Sequence, residues 1–295
     1  MSFPDYTFSG RFATIRGNRL HYLDEGAPDA PILLMLHGNP TWSFHFRHLV
    51  TAFRNTHRCI VPDHVGMGLS DRPGPGSYAH TLADRVDDLD ALVEQTAPGR
   101  EITLVLHDWG GMIGMAWACR HPERVRRIVL MNTAAFLPPP DWHVPWQLRV
   151  ARMPVLGPLL VQGFNAFCRG AARGCVTRAP LPESVRAAYL APYGNWHDRY
   201  AVLRFVQDIP LAPSDPAHAI VERVQHELPR FADRPVLICW GLRDFIFDPV
   251  FLAGWVERFP RAEVHRFADA GHYLLEDAGP EAIGLVRDFL ARHAL

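Results

Sequence analysis

The chain has 295 residues, 48% of them apolar and 21% charged, the balance of a globular protein rather than a disordered, collagen-like or coiled-coil one. Thirty basic against 31 acidic residues leave a net charge of −1, so no electrostatic footprint for nucleic acid is present. Every basic residue is arginine, which excludes a Schiff-base or P-loop lysine. In chain order, Phe12 to Ile15 and Leu20 to Leu23 flank the turn signal Arg16-Gly17-Asn18 and predict a hairpin. Ile32 to Leu36 is a continuous apolar run ending at His37-Gly38, as expected of a strand buried on both faces of a parallel sheet. The pattern returns at Cys59 to Val61, Ile102 to Leu106, Val125 to Met131 and Val236 to Trp240. Helical stretches are expected at about 43–54, 80–96, 110–120, 248–258 and 280–293. Strand, loop and helix in alternation predict βαβ units: an α/β fold with a mostly parallel sheet and helices on both faces.

The alternation fails between about 135 and 230. That stretch holds 13 of the 26 prolines and only short helical pieces, such as Val185 to Leu190 and Tyr200 to Val206. We expect a helical cap at 135–230, inserted between two strands of a core made of 1–134 and 231–295. The competing reading, a second independent domain, would leave a C-terminal remainder of two strands too small for a core of its own.

The five cysteines, Cys59, Cys119, Cys168, Cys175 and Cys239, form no C-x-x-C pair and no disulfide framework. No cofactor and no metal are expected. The N-terminal Met-Ser-Phe-Pro-Asp-Tyr lacks a basic region followed by an apolar stretch, so no secretory signal is expected. The longest apolar candidate, 154–161, is short and proline-broken, so no membrane span is expected either. A soluble, cytoplasmic protein is the expectation.

In open α/β sheets, reactive groups follow the carboxyl ends of strands. After Ile102 to Leu106 comes His107-Asp108-Trp109-Gly110-Gly111, a strand running through one polar residue into a glycine-rich helix start. That is the shape of a nucleophile elbow, with Asp108 where Ser is usual; G-x-S-x-G occurs nowhere in the chain. The bland alternative is a helix-capping Asp. Asp244 ends the strand Val236 to Trp240 region, and His272 follows Val264 to Phe267. Nucleophile, acid, His is the order of the α/β-hydrolase triad, with His272 as base. Asp248 is a rival acid, expected to cap the helix at Pro249; Asp269 is a third, too near His272 in sequence. After the first core strand, His37-Gly38-Asn39-Pro40 offers electrophilic help. The backbone N–H groups of Asn39 and Trp109 are expected to form an oxyanion hole, and their side-chain N–H groups to hold a leaving group. The alternative for Asn39 is turn formation before Pro40.

These residues resemble a known family. His37-Gly38-Asn39-Pro40-Thr41, His64-Val65-Gly66-Met67-Gly68-Leu69-Ser70-Asp71 and His107-Asp108-Trp109-Gly110-Gly111 are similar to the haloalkane dehalogenases, over nearly the whole chain. The resemblance implies an Asp nucleophile, an Asn–Trp pair for the halide and a His that activates water. Some members place the triad acid as Glu after the sixth strand; here that region reads Met131-Asn132-Thr133, so Asp244 must serve. Thr56 to Asp63, Asn132 to Phe136, Ala191 to Trp196 and Phe205 to Leu211 further resemble the β-lactone decarboxylases of bacterial olefin biosynthesis. That likeness implies decarboxylation of cis-β-lactones to cis-alkenes, with haloalkane hydrolysis as the alternative. It implies a hydrophobic small-molecule substrate, and leaves room for partner enzymes of olefin biosynthesis and for a homo-oligomer. Two lesser readings stay open. One is an epoxide hydrolase using two of the cap tyrosines Tyr189, Tyr193 and Tyr200; the other is a non-catalytic binding module.

Overall fold

The computed structural model describes residues 3–294. Eight strands form one sheet in the order β1-β2-β4-β3-β5-β6-β7-β8. They are β1 (Arg11–Ile15), β2 (Asn18–Glu25), β3 (Ile32–Leu36), β4 (Arg58–Pro62), β5 (Ile102–Asp108), β6 (Val125–Thr133), β7 (Val236–Gly241) and β8 (Glu263–Phe267). β1–β2 and β2–β4 pair antiparallel; every later pairing is parallel. The apolar runs of the central strands serve two cores at once. Leu34, Leu36, Leu104 and Leu106 pack on one face, and Leu33, Met35 and Val105 on the other. This is why those strands show no polar alternation.

α1 (Arg47–Phe53) and the C-terminal helix Gly279–Arg292 cover the second face. α2 (Leu82–Thr96), α3 (Trp109–Arg120) and the helix Pro249–Arg258 cover the first. The single helix expected at 43–54 is two pieces: a 3₁₀ turn at Ser43–Phe46, then α1. The turn's entry is fixed by Asp63, whose Oδ1 accepts the Ser43 N–H at 2.6 Å. Asp63 also accepts from Leu69 N–H and pairs with His21; Asp63 and His21 are both buried.

Among the described residues, no strand lies between β6 and β7. Short helices fill that interval, including Trp146–Ala151, Ala166–Gly174, Glu183–Leu190, Tyr200–Gln207 and His218–Glu227. They are tied to the loops at the strand ends. Trp42 Nε1 donates to Ala188 O, Tyr193 Oη to Thr41 O, and Trp142 Nε1 to Ile246 O, all within 3.2 Å. Among the described residues, no helix is long and apolar enough to cross a membrane.

Candidate active site

β5 keeps its register against β6 to His107 and shifts by a residue at Asp108, whose backbone turns into α3 with φ 54°. A non-glycine residue in that region is strained, and such strain concentrates at functional sites. Its neighbours make room. A Cβ at Gly38 would fall on the Asp108 carboxylate, and one at Gly110 on the Leu36 carbonyl. Thr133 Oγ1 donates to the Asp108 carbonyl and pins the elbow to β6. The capping reading of Asp108 fails, because its side chain makes no cap hydrogen bond to α3.

The carboxylate points instead to Asn39 and His272. Asn39 N–H donates to Oδ1 at 2.7 Å, and His272 Nε2 lies 3.3 Å from Oδ2. On the far side, His272 Nδ1 meets Asp244 Oδ2 at 2.7 Å. The sequence-ordered residues Asp108, Asp244 and His272 therefore meet in space, all buried. The rivals do not. Asp248 caps the helix at Pro249 through Val250 N–H, and Asp269 pairs with Arg178 at the surface.

Burial raises the Asp108 carboxyl, but His272 and the Asn39 N–H outweigh it and hold it below its ordinary range. Burial works against a charged His272, yet Asp244 and Asp108 on its two sides lift it to about 10. The resting pair is thus carboxylate and imidazolium. If Asp108 becomes an ester, one of the two flanking charges vanishes and the imidazole loses part of its hold on the proton. His107, by contrast, is pushed down to about 4 by burial and by His272. It remains neutral, and its Nε2 lies 2.8 Å from the His272 carbonyl, fixing the loop that carries His272.

The expected oxyanion hole is used differently from what the sequence suggested. The Asn39 N–H is engaged by the Asp108 carboxylate. It therefore stabilises charge on Asp108, including the oxyanion that would form if water opened an ester there. The Asn39 amide gives one hydrogen to Val202 O at 3.1 Å, which ties it to the Tyr200–Gln207 helix, and its Oδ1 is buried without a partner. Trp109 packs edge-on against Phe205 and, with Asn39, Asp108 and His272, lines a cavity of about 680 Å³. The remaining wall is apolar, with Met112, Trp142, Leu148, Val161, Phe247 and Phe251 among its residues. Tyr189, Tyr193 and Tyr200 are not in that wall. Tyr189 donates to Glu276 and Tyr193 to Thr41, so no pair of cap tyrosines is offered to an epoxide oxygen.

One residue escaped sequence reasoning. Asn132 stands where some relatives carry an acid. Here its Nδ2 donates to Asp244 Oδ2 and to Gly241 O at 3.0 Å each, and its Oδ1 accepts Gly241 N–H at 2.9 Å. It thus bridges β6 and β7 and orients Asp244, with Ile246 N–H holding the other Asp244 oxygen at 2.7 Å. Its φ of 39° suits Asn better than most residues. The signal was visible as a polar residue in an otherwise apolar run. Asn132→Ala is expected to lower unfolding stability by about 2–4 kcal/mol, through a lost charged hydrogen bond and an ill-suited backbone, as measured by urea titration.

A model of the α/β hydrolase fold family matches residues 31–279. A cis-3-alkyl-4-alkyloxetan-2-one decarboxylase of Shewanella oneidensis is 50% identical, over 96% of this chain and 88% of its own length. One of Xanthomonas campestris is 48% identical over the full length of both. The crystal structure of a haloalkane dehalogenase from Bradyrhizobium elkani superposes with a TM-score of 0.84 at 28% identity, covering 97% of this chain and 99% of that one. The chain belongs to the α/β-hydrolase fold family, in the group that unites the oxetanone decarboxylases with the haloalkane dehalogenases.

Proposed function

We propose that this protein decarboxylates cis-3,4-dialkyl β-lactones to cis-alkenes. The observation that carries this reading is the 48–50% identity to two oxetanone decarboxylases over almost the whole chain, the helices between β6 and β7 included. The apolar cavity over an ionised Asp108 suits such a substrate, uncharged and flanked by two alkyl chains. In this reading residues 135–230 form a cap that closes the cavity over a core of 1–134 and 231–295.

Asp108 is the nucleophile. An Oδ attacks the ring carbon that bears the lactone C–O bond, from the side opposite that oxygen. The new C–O ester bond forms, the ring C–O bond breaks, and its electron pair leaves as a carboxylate. The centre inverts, so the carboxylate can stand anti to the new ester. Loss of carbon dioxide then supplies the electron pair of the C=C bond and expels Asp108 as a carboxylate. Inversion followed by anti elimination converts a cis ring into a cis alkene, and water and external protons take no part. His272 and Asp244 hold Asp108 ionised and aligned; the side-chain N–H groups of Asn39 and Trp109 receive the departing carboxylate.

Offering purified protein a long-chain cis-β-lactone and a bromoalkane side by side tests the reading. Alkene from the first with little bromide from the second is expected; bromide alone would establish the hydrolase. Asn39→Ala and Trp109→Phe should each lower kcat about 10²–10³-fold on the lactone, by loss of one donor to developing charge. Steady-state alkene release measures this. If both variants keep more than a tenth of the rate, the two side chains serve only the fold.

A further inference from the structure

Six of the ten most exposed large apolar side chains among the described residues fall in one short stretch of the chain: Trp146, Met153, Val155, Leu156, Leu159 and Phe164. Trp146 is 70% exposed, Val155 82% and Phe164 61%. Their helices are short and broken, at Trp146–Ala151, Leu156–Pro158 and Leu159–Gly163. Trp196, also exposed, joins them, because its ring and Leu159 both lie against Gly163. Soluble surfaces rarely gather so many large apolar groups without a partner.

The charge carried by this stretch is mostly positive. Residues 141–180 contain five arginines against one acid, Asp141. Arg152 is paired with Asp215, and Arg178 with Asp269 and Glu281. Arg149, Arg169 and Arg173 are exposed, and none of them makes an ion pair among the described residues. Arg169 and Arg173 sit one turn apart on the helix Ala166–Gly174, so they share a side. On the same helix Ala166, Gly170 and Gly174 line the cavity and are also exposed. Trp146 likewise lines the cavity and is exposed. The mouth of the cavity therefore opens beside the unpaired arginines, within the apolar face.

We propose that this face docks the protein on the surface of an anionic phospholipid bilayer, with the cavity mouth turned to the lipid. Exposed aromatic and aliphatic groups beside unpaired arginines are the chemistry of an interfacial segment: the apolar groups enter the headgroup boundary and the guanidinium groups meet phosphate. A protein partner would have to present acids against all three arginines and an apolar socket at once; a lipid headgroup layer presents both by its nature. The surface stands independently of the reaction proposed above. Only its use, loading a lipophilic substrate straight from the bilayer, rests on that reading.

The test is co-sedimentation of the purified chain with vesicles of phosphatidylglycerol and phosphatidylcholine, and with phosphatidylcholine alone. Binding to the anionic vesicles, reversed by salt, is expected, with much weaker binding to the zwitterionic ones. Of the eight tryptophans only Trp146 and Trp196 are exposed, so acrylamide quenching should fall on binding if this face is the one that docks. Arg169→Gln and Arg173→Gln should each weaken binding about fivefold. Val155→Ser with Phe164→Ser should restore quenching in the presence of vesicles. None of these four side chains lines the cavity, so turnover of a short, water-soluble lactone should stay at the wild-type level and certify the fold. Wild-type protein left in the supernatant at low salt would overturn the proposal and return the face to a protein partner. Variants that bind as tightly as wild type would overturn it equally.

Discussion

Asp108→Ala is expected to lower alkene formation by at least about 10⁴-fold, the scale seen when a nucleophile that acts as part of a unit is removed. The geometry leaves no substitute. Asp244, the other carboxylate in contact with His272, is committed to His272, Asn132 and Ile246. It lies on the far side of the imidazole from Asp108. The cavity wall offers no other carboxylate than Asp108. The fold should survive. Ala at φ 54° is less comfortable than Asp, but removing the carboxylate also removes a buried charge. The His272 ring keeps Asp244 and loses the carboxylate that helped hold its proton, so its pKa should fall from about 10. Alkene yield by gas chromatography and a thermal melt, run on the same sample, separate loss of chemistry from loss of fold. Asp108→Asn is the weaker variant, since an amide in this site can hydrolyse back to the acid. Activity retained by pure Asp108→Ala would overturn the nucleophile assignment.

The meeting of Asp108, Asp244 and His272 was legible because each follows the end of a strand, two of them buried and apolar and the third the edge strand β8, and strand ends are where an α/β sheet gathers its chemistry. His272 could be picked from 16 histidines by chain order together with its place in the loop after Val264 to Phe267. Asp248 could be set aside because an Asp before Pro reads as a cap, which it is. What stayed hidden depends on contacts between distant segments. Nothing local marks the Asn39 N–H as a donor to the nucleophile, 69 residues away, or Asn132 as the brace of Asp244, 112 residues away. Asp63 lay within a quoted motif, yet its work is structural: a buried carboxylate that ties β2, the 3₁₀ turn and the Gly68 loop together. The stretch 154–161 was the longest apolar candidate, and its exposure could not be read from composition. An apolar run broken by prolines is the same string whether it is buried in a core or laid on a surface.

The second large effect separates elimination from hydrolysis. In water enriched in oxygen-18, Asp108 should stay unlabelled through many turnovers of lactone, while label should enter it if the enzyme works by hydrolysis. The reason lies in which bond breaks. Water that opens an alkyl ester attacks the carboxyl carbon, so one Asp108 oxygen is exchanged at each cycle. Expulsion of Asp108 by departing carbon dioxide breaks the alkyl C–O bond and returns both original oxygens. The resting protonation state is the same for both courses. A histidine held to about 10 between two carboxylates is already charged and has no free lone pair with which to activate water. Once Asp108 is alkylated its charge is gone, and a base can emerge; elimination must outrun that moment. His272→Gln sharpens the contrast. It should leave a bromoalkane-derived ester stranded on Asp108, visible as a mass increase on the peptide that contains it. With lactone no adduct should persist, because the step that frees Asp108 needs no base. Label entering Asp108 during alkene formation would rule out the anti-elimination route, and a hydroxy acid as sole product would rule out decarboxylation itself.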